Sequence, residues 1–97
     1  MKSSAVVRPP VVGGLFYPGD PAVLKREVDD LMQRAGRTRI KGKVRGLISP
    51  HAGYAYSGFT AAQGYAMLRG SSYATVVIVS PSHREFFDGV SVFSGLG

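Results

Sequence analysis

The amino-acid sequence predicts an α/β fold, in which helices pack on a mostly parallel sheet. An unbroken run of mainly β-branched residues, 74–80, is typical of a strand buried on both faces, as in a parallel sheet. A short apolar segment, 44–49, and a stretch rich in small and apolar residues, 58–69, come before it. Strand, helix and strand in this order form a βαβ unit with a right-handed crossover, which places helices on the faces of the sheet.

The composition is that of one small globular domain or of a piece of a larger one. The 97 residues are 44% hydrophobic and 19% charged, which are ordinary fractions that do not favour disorder. The chain contains no cysteine, which excludes a disulfide scaffold and a thiolate metal site built from these residues. No apolar run approaches the roughly 20 residues of a membrane span, and the N-terminal apolar stretch is too short for a signal-peptide core. We therefore expect a cytoplasmic protein without a membrane partner.

The chain begins with an irregular opening segment, residues 1–19, because prolines and glycines recur from Arg8 onward. A helix follows, since Asp20 is a favourable N-cap, Pro21 suits the first helical position and Gly36 is typical of a helix end. The apolar residues between them recur at spacings of three and four: Leu24, Val28, Leu31, Met32 and Ala35. We expect this helix to contribute packing and not a functional site.

The rest of the chain is predicted to alternate between strands and a helix. Strands are expected over 44–49 and 74–80, each ended by a proline, with a helix over 58–69 between them. A last strand over 89–94 alternates between apolar and small or polar residues, which places it nearer an edge. Residues 20–97 are thus expected to form helix, strand, helix, strand and strand within a single domain.

Positive charge is concentrated in one segment. The chain has 12 Lys and Arg against 6 Asp and Glu, for a net charge of +6, and residues 34–45 hold six basic residues and no acid. Such a run attracts phosphate. However, no aromatic residue is interleaved with the basic ones, and single-strand binders need stacking platforms. We therefore interpret the run as a solvated connection and do not expect a nucleic-acid partner.

The two histidines occupy matched positions in the sequence. His51 follows Ser-Pro after the first predicted strand, and His83 follows Ser-Pro-Ser after the second. Ligands of open α/β sheets bind outside the carboxyl ends of the strands, and neighbouring strands lie about 4.8 Å apart. Two imidazoles at such ends would share one ion at about 2.1 Å each. Either histidine alone is typical of a surface or turn residue, but the matched pair predicts a shared metal site.

Side chains near the histidines complete the predicted site. Tyr54 and Tyr56 are expected to line a substrate pocket together with Ser82, although packing over the sheet edge is an equally good interpretation of the tyrosines. Two acids follow the second histidine, Glu85 and Asp88, and a carboxylate beside two histidines is typical of non-haem iron sites. We favour a solvated loop or turn position for both acids.

Three blocks of the sequence resemble the signature of a known protein family. Residues 8–18, RPPVVGGLFYP, resemble the family opening R-x-P-x-V-A-G-x-F-Y-P, with Gly13 in place of alanine. Residues 48–58, ISPHAGYAYSG, resemble the block P-H-A-G-Y-x-Y-S-G. Residues 78–83, IVSPSH, resemble I-x-G-P-S-H, with Ser80 in place of glycine. The three blocks occur in the family's order, and neither departure touches a histidine. On these blocks the chain resembles the MEMO family, called AmmeMemoRadiSam system protein B in prokaryotes.

The resemblance implies a fold and a metal. The family is similar in fold to the LigB-type class III extradiol dioxygenases, so the 97 residues would be the N-terminal part of a larger LigB-like or MEMO-like domain, as a truncated or partial chain. By this resemblance His51 and His83 are two ligands of Fe(II) or copper, and the other ligands follow later in the family's domain.

The resemblance also implies a function, a dioxygenase-like, metal-binding redox domain, whose activity in so short a piece is in doubt. The alternative is a non-catalytic module that binds a phosphopeptide, another peptide or an anion in the same cleft. The implied partners are a small-molecule or phosphopeptide ligand and, by family association, AMMECR-type and radical SAM proteins.

Overall fold

A computed structural model describes residues 6–36 and 40–95 of the chain. It contains helix α1, Pro21–Ala35, and helix α2, Tyr54–Ala66. The chain divides into two compact units. The helical unit spans Val11–Ser71 and holds both helices, and the second unit comprises the described residues among 1–10 and 72–97.

Helix α1 begins and ends where its sequence predicts. The Asp20 carboxylate accepts hydrogen bonds from two backbone N–H groups of the first turn, at 2.9 and 3.0 Å. These are donors that a helix start leaves without an intrahelical partner. Pro21 occupies the first helical position, and Gly36 ends the helix with a φ of 68° while its N–H donates to the Gln33 carbonyl at 3.2 Å. The positive φ favours glycine at this position.

Helix α2 begins four residues earlier than the predicted start at residue 58 and ends at Ala66, before the predicted end. Its N-cap, Gly53, has no side chain and therefore makes no side-chain capping bond. The residue type that would signal the start of a helix is absent there. The sequence therefore predicted the helix but placed its boundaries too far toward the C-terminus.

The two helices pack through small residues. Ala62 and Ala66 of α2 are 6% and 4% exposed and form the hydrophobic core among the described residues. Gly58 allows close approach, because a Cβ atom there would lie 3.1 Å from Cδ1 of Leu31 on α1. At the far end of α1, the guanidinium carbon of Arg34 lies 5.2 Å from the centre of the Phe59 ring, at cation–π distance.

The predicted sheet is absent from the described part of the chain. Residues 6–36 and 40–95 contain no strand and no sheet, so the α/β fold class, a mostly parallel sheet with packed helices as in a LigB-like or MEMO-like domain, is wrong for them. The run 74–80 is not buried, since Ile78 is 82% and Val79 is 90% exposed. A β-branched run forms a strand only when another chain segment satisfies its backbone N–H and C=O groups. No such ladder forms over 44–49, 74–80 or 89–94.

The helices of the described residues also bear on membrane insertion. Neither α1 nor α2 is long and apolar enough to cross a bilayer.

Candidate functional site

The first predicted metal ligand, His51, lies on the loop just before α2, in the helical unit. The side chain is exposed. The peptides that follow it are tied to the first turn of the helix. The Ser57 hydroxyl donates to the Ala52 carbonyl at 3.2 Å, and the Ser57 N–H donates to the Gly53 carbonyl at 3.1 Å. Ser57 thus acts on the loop backbone, which fixes the chain direction immediately after His51.

A second element contacts this loop from the opening segment. Residues 12–17 form a compact turn, called the N-terminal turn below, in which two N–H groups donate to the Val12 carbonyl at 2.9 and 3.1 Å. The Phe16 carbonyl accepts a hydrogen bond from the Tyr54 N–H at 2.8 Å. The rings of Tyr17 and Tyr54 lie 5.6 Å apart with a tilt of 38°, within the range of favourable aromatic pairs. The structure therefore brings the first two sequence blocks together.

The sequence did not single out the N-terminal turn as part of the site. Phe16 and Tyr17 were seen only as members of the opening block. Their contact joins segments that lie far apart in the chain, and it runs through a backbone carbonyl. No side-chain pattern reports such a bond, so the sequence carries no signal for it.

The two tyrosines of the predicted pocket have different surroundings. Tyr54 is half-buried and packs on Tyr17, whereas Tyr56 is 89% exposed. Burial, and to a lesser extent the electrostatic effect of Tyr17, Glu27 and Tyr65, raises the pKa of the Tyr54 phenol above its usual value. The Tyr54 phenol is therefore neutral at physiological pH and can donate a hydrogen bond. Its surroundings are those of a packed residue, and the pocket role of both tyrosines stays a prediction.

The second predicted ligand, His83, lies in the second unit, where its side chain is exposed. A short turn encloses it. The Ser82 hydroxyl donates to the Glu85 carbonyl at 2.7 Å. The Glu85 N–H donates in return to the same hydroxyl oxygen through a longer hydrogen bond of 3.4 Å. Ser82 was predicted to line the pocket, but its hydroxyl holds this turn together.

The metal site itself stays a prediction. His51 belongs to the helical unit and His83 to the second unit, and each is described within its own unit. Over 6–36 and 40–95, no group of three or more His, Asp or Glu side chains is arranged to hold a metal ion. The donor chemistry fits in part, because imidazole suits iron and copper, but two imidazoles do not complete a coordination sphere.

The basic run is partly committed to helix packing. Arg34 lies 3.6 Å from Asp30 on the same helix and also covers the Phe59 ring. Residues 37–39, which carry two of the six basic side chains, lie outside the described residues. The absence of a nucleic-acid partner stays an expectation from the sequence.

Comparison with known proteins confirms the family resemblance of the three blocks. The family described as Memo-like protein matches residues 8–96. A MEMO1 family protein of Methanothermobacter thermautotrophicus is 36% identical over 97 residues, covering 90% of this chain and 34% of the relative. MEMO1 family proteins of Aquifex aeolicus and Thermotoga neapolitana are 38% and 40% identical, over 92% and 91% of this chain and 32% and 35% of the relatives.

The chain thus spans about a third of the length of these curated relatives. No solved structure matches it significantly. Because the family match extends over nearly the whole sequence, the chain belongs to the Memo-like protein family.

Proposed function

We propose that this chain supplies two imidazole ligands, from His51 and His83, to a redox metal in a dioxygenase-like member of the Memo-like family. The observation that supports this most directly is the shared setting of the two histidines. Each side chain is exposed on a short connecting segment whose backbone carbonyl accepts from a serine hydroxyl, that of Ser57 after His51 and that of Ser82 directly before His83. Metal ligands need an accessible donor atom on a backbone that is already in place.

The chemistry of the donors favours Fe(II) or copper. Imidazole nitrogen is a good ligand for both, and the chain offers no thiolate that would favour zinc in a structural site. When bound, such an ion supplies electron transfer and an open coordination position for a substrate. We expect the further donors that the ion requires to lie in a part of the family domain beyond the third that this chain spans.

Within the site, the tyrosines are proposed to have separate roles. Tyr56, which is 89% exposed, is available to contact a phenolic or other small substrate. Tyr54 packs on Tyr17 and holds the loop that carries His51. Ser82 stabilises the turn around His83 through the Glu85 carbonyl and would donate to a substrate only after that bond is broken.

Metal titration tests the proposal, because the chain has only two histidines. Cu(II) or anaerobic Fe(II) is titrated into the chain and into His51→Ala, His83→Ala and the double variant. We expect each single substitution to weaken binding at least about tenfold, since loss of even an outer-shell partner costs ~10–100-fold. The double variant measures binding to other groups. The proposal is wrong if His51→Ala binds the metal as tightly as the wild type.

The second candidate function is a module that binds a phosphopeptide or anion without turnover. The observation that favours it is charge, because the chain carries a net +6 and the exposed Arg84 directly follows His83. A phosphotyrosine peptide labelled with a fluorophore distinguishes the two functions. Binding that is unchanged by a chelator and lost in Arg84→Gln favours the module, whereas binding that requires metal favours the redox site.

A further inference from the structure

We infer that the N-terminal turn is a positioning element for His51: the Phe16 carbonyl and the Tyr17 ring fix the peptide that joins His51 to helix α2. The part of this inference that concerns metal affinity rests on the proposed function. The mechanical part, the attachment of the turn to the loop, stands on the geometry of the helical unit alone.

The hydrogen bond between the two segments satisfies a donor at the start of α2. The Tyr54 N–H is one of the donors that the start of α2 leaves without a partner inside the helix. An N-cap side chain reaches the second or third helical N–H and not the first, and Gly53 has no side chain at all. The Phe16 carbonyl accepts the Tyr54 N–H, at 2.8 Å. The start of α2, three residues after His51, is therefore defined by a residue of the N-terminal turn.

A small residue at position 53 leaves room for this contact. A Cβ atom built on Gly53 would lie 3.4 Å from the Phe16 carbonyl oxygen and 3.5 Å from its Cα, which is ordinary van der Waals contact. The backbone of Gly53 has a φ of −55° and a ψ of 151°, which other residues adopt without strain. Alanine therefore fits at this position, but a branched side chain has to push the N-terminal turn away.

The turn is closed by its own backbone hydrogen bonds. The Gly14 N–H donates to the Tyr17 carbonyl at 2.7 Å, and the Phe16 N–H donates to the Val12 carbonyl at 2.9 Å. Gly14 has a φ of 83°, which favours glycine at the sharpest point of the turn. With its own backbone closed in this way, the turn presents the Phe16 carbonyl and the Tyr17 ring to the loop as one unit.

Two substitutions at one position isolate the hydrogen bond. Tyr54→Ala removes the ring and keeps the N–H, whereas Tyr54→Pro removes both. Proline is suited to the first helical position, and the extended ψ of Gly53 is what a residue before proline requires. Helix content from circular dichroism at 222 nm is expected to be equal in the two variants, so their difference reports the bond to Phe16.

Hydrogen exchange measures, without any metal, whether the N-terminal turn is attached to the loop before α2. In the wild type, the Tyr54 amide is expected to be protected, as are the Gly14 and Phe16 amides inside the turn. In Tyr54→Pro, protection of the Gly14 and Phe16 amides is expected to fall below that in Tyr54→Ala, because the turn is no longer held. A Tyr54 amide that exchanges at the unprotected rate in the wild type would overturn the inference.

Cu(II) titration reads the positioning of His51. We expect Tyr54→Pro to bind Cu(II) about tenfold more weakly than Tyr54→Ala, the lower end of outer-shell effects. Gly53→Val and Gly53→Ala form an independent pair, in which Val weakens binding and Ala keeps it within about twofold. Equal affinities within both pairs would overturn the positioning role. If the wild type shows no histidine-dependent binding, the proposed function fails, and hydrogen exchange still decides whether the turn is attached.

Discussion

The N-cap of α1 offers the clearest test of how this sequence stabilises its helices. In Asp20→Ala, the carboxylate that accepts from two first-turn N–H groups, at 2.9 and 3.0 Å, is removed. Loss of such a cap costs about 1 kcal/mol. That corresponds to about a fivefold fall in the folding equilibrium constant. Asp20→Asn keeps an acceptor oxygen and loses only the interaction of the charge with the helix dipole, which contributes about 0.3–1 kcal/mol.

Urea unfolding followed by circular dichroism at 222 nm measures the effect. The expected order of stability is wild type, then Asp20→Asn, then Asp20→Ala, with unchanged dependence on urea concentration. Repeating the series in 1 M salt should bring the Asn variant closer to the wild type, because salt screens the charge–dipole interaction but not the hydrogen bonds. An Ala variant as stable as the wild type would refute the capping argument. An Asn variant as unstable as Ala would assign the whole effect to charge.

Three further outcomes are expected. Burial raises the pKa of the Tyr54 phenol in the folded state. The neutral phenol therefore contributes its full stabilisation below about pH 10, and this stabilisation is lost as the pH rises through the higher pKa of the folded state. Tyr54→Phe should remove this loss of stability at alkaline pH in a pH series of unfolding experiments. A double-mutant cycle of Arg34→Gln and Phe59→Leu should give a coupling of about 0.5–1 kcal/mol for their 5.2 Å contact, and a coupling of zero would argue against it. Val77→Lys should reduce binding of the dye ANS and precipitation, because residues 76–79 form an exposed, uncharged β-branched run; unchanged dye binding would show that this run is covered in solution.

Helix α1 was predictable because its signals are local. Asp20, Pro21 and Gly36 each act through the backbone within one turn of their own position, so the sequence alone determines the start and the end. Helix α2 was predicted less accurately because Gly53 offers no capping side chain and the start depends on the Phe16 carbonyl. A boundary set by a distant backbone group leaves no pattern near it.

The sheet was predicted from strand propensity alone, which is only one of the two conditions for a strand. The run 74–80 shows that these residues suit a buried strand, but a strand also needs a partner with which to exchange hydrogen bonds. The described residues provide none, and Val76 to Val79 are 72–90% exposed. Strand propensity can be read from a single segment, whereas strand pairing depends on two segments. The sequence of 74–80 carried information about propensity and none about a pairing partner.

The sequence predicted a set of site residues, whose role stays a prediction, and it did not predict their local arrangement. The sequence blocks identified His51 and His83, and the family match supports reading the blocks together. The support from Phe16 and the turn held by Ser82 were not predicted, because each runs through a backbone carbonyl. Such bonds depend on where the chain folds back, and composition does not report this.

Leu47 packs the start of the loop that carries His51 against helix α2. Its side chain sits over Gly64 so closely that a Cβ atom on this glycine would lie 2.8 Å from Leu47 Cδ1. At the other end of the loop, the Tyr54 N–H is bound to Phe16. The segment that carries His51 is therefore held at one end by packing on α2 and at the other by a hydrogen bond to the N-terminal turn. A residue inserted between these two attachments would have to bulge into solvent, and a deletion would break one of them, so natural variation here should change side chains and preserve the number of residues.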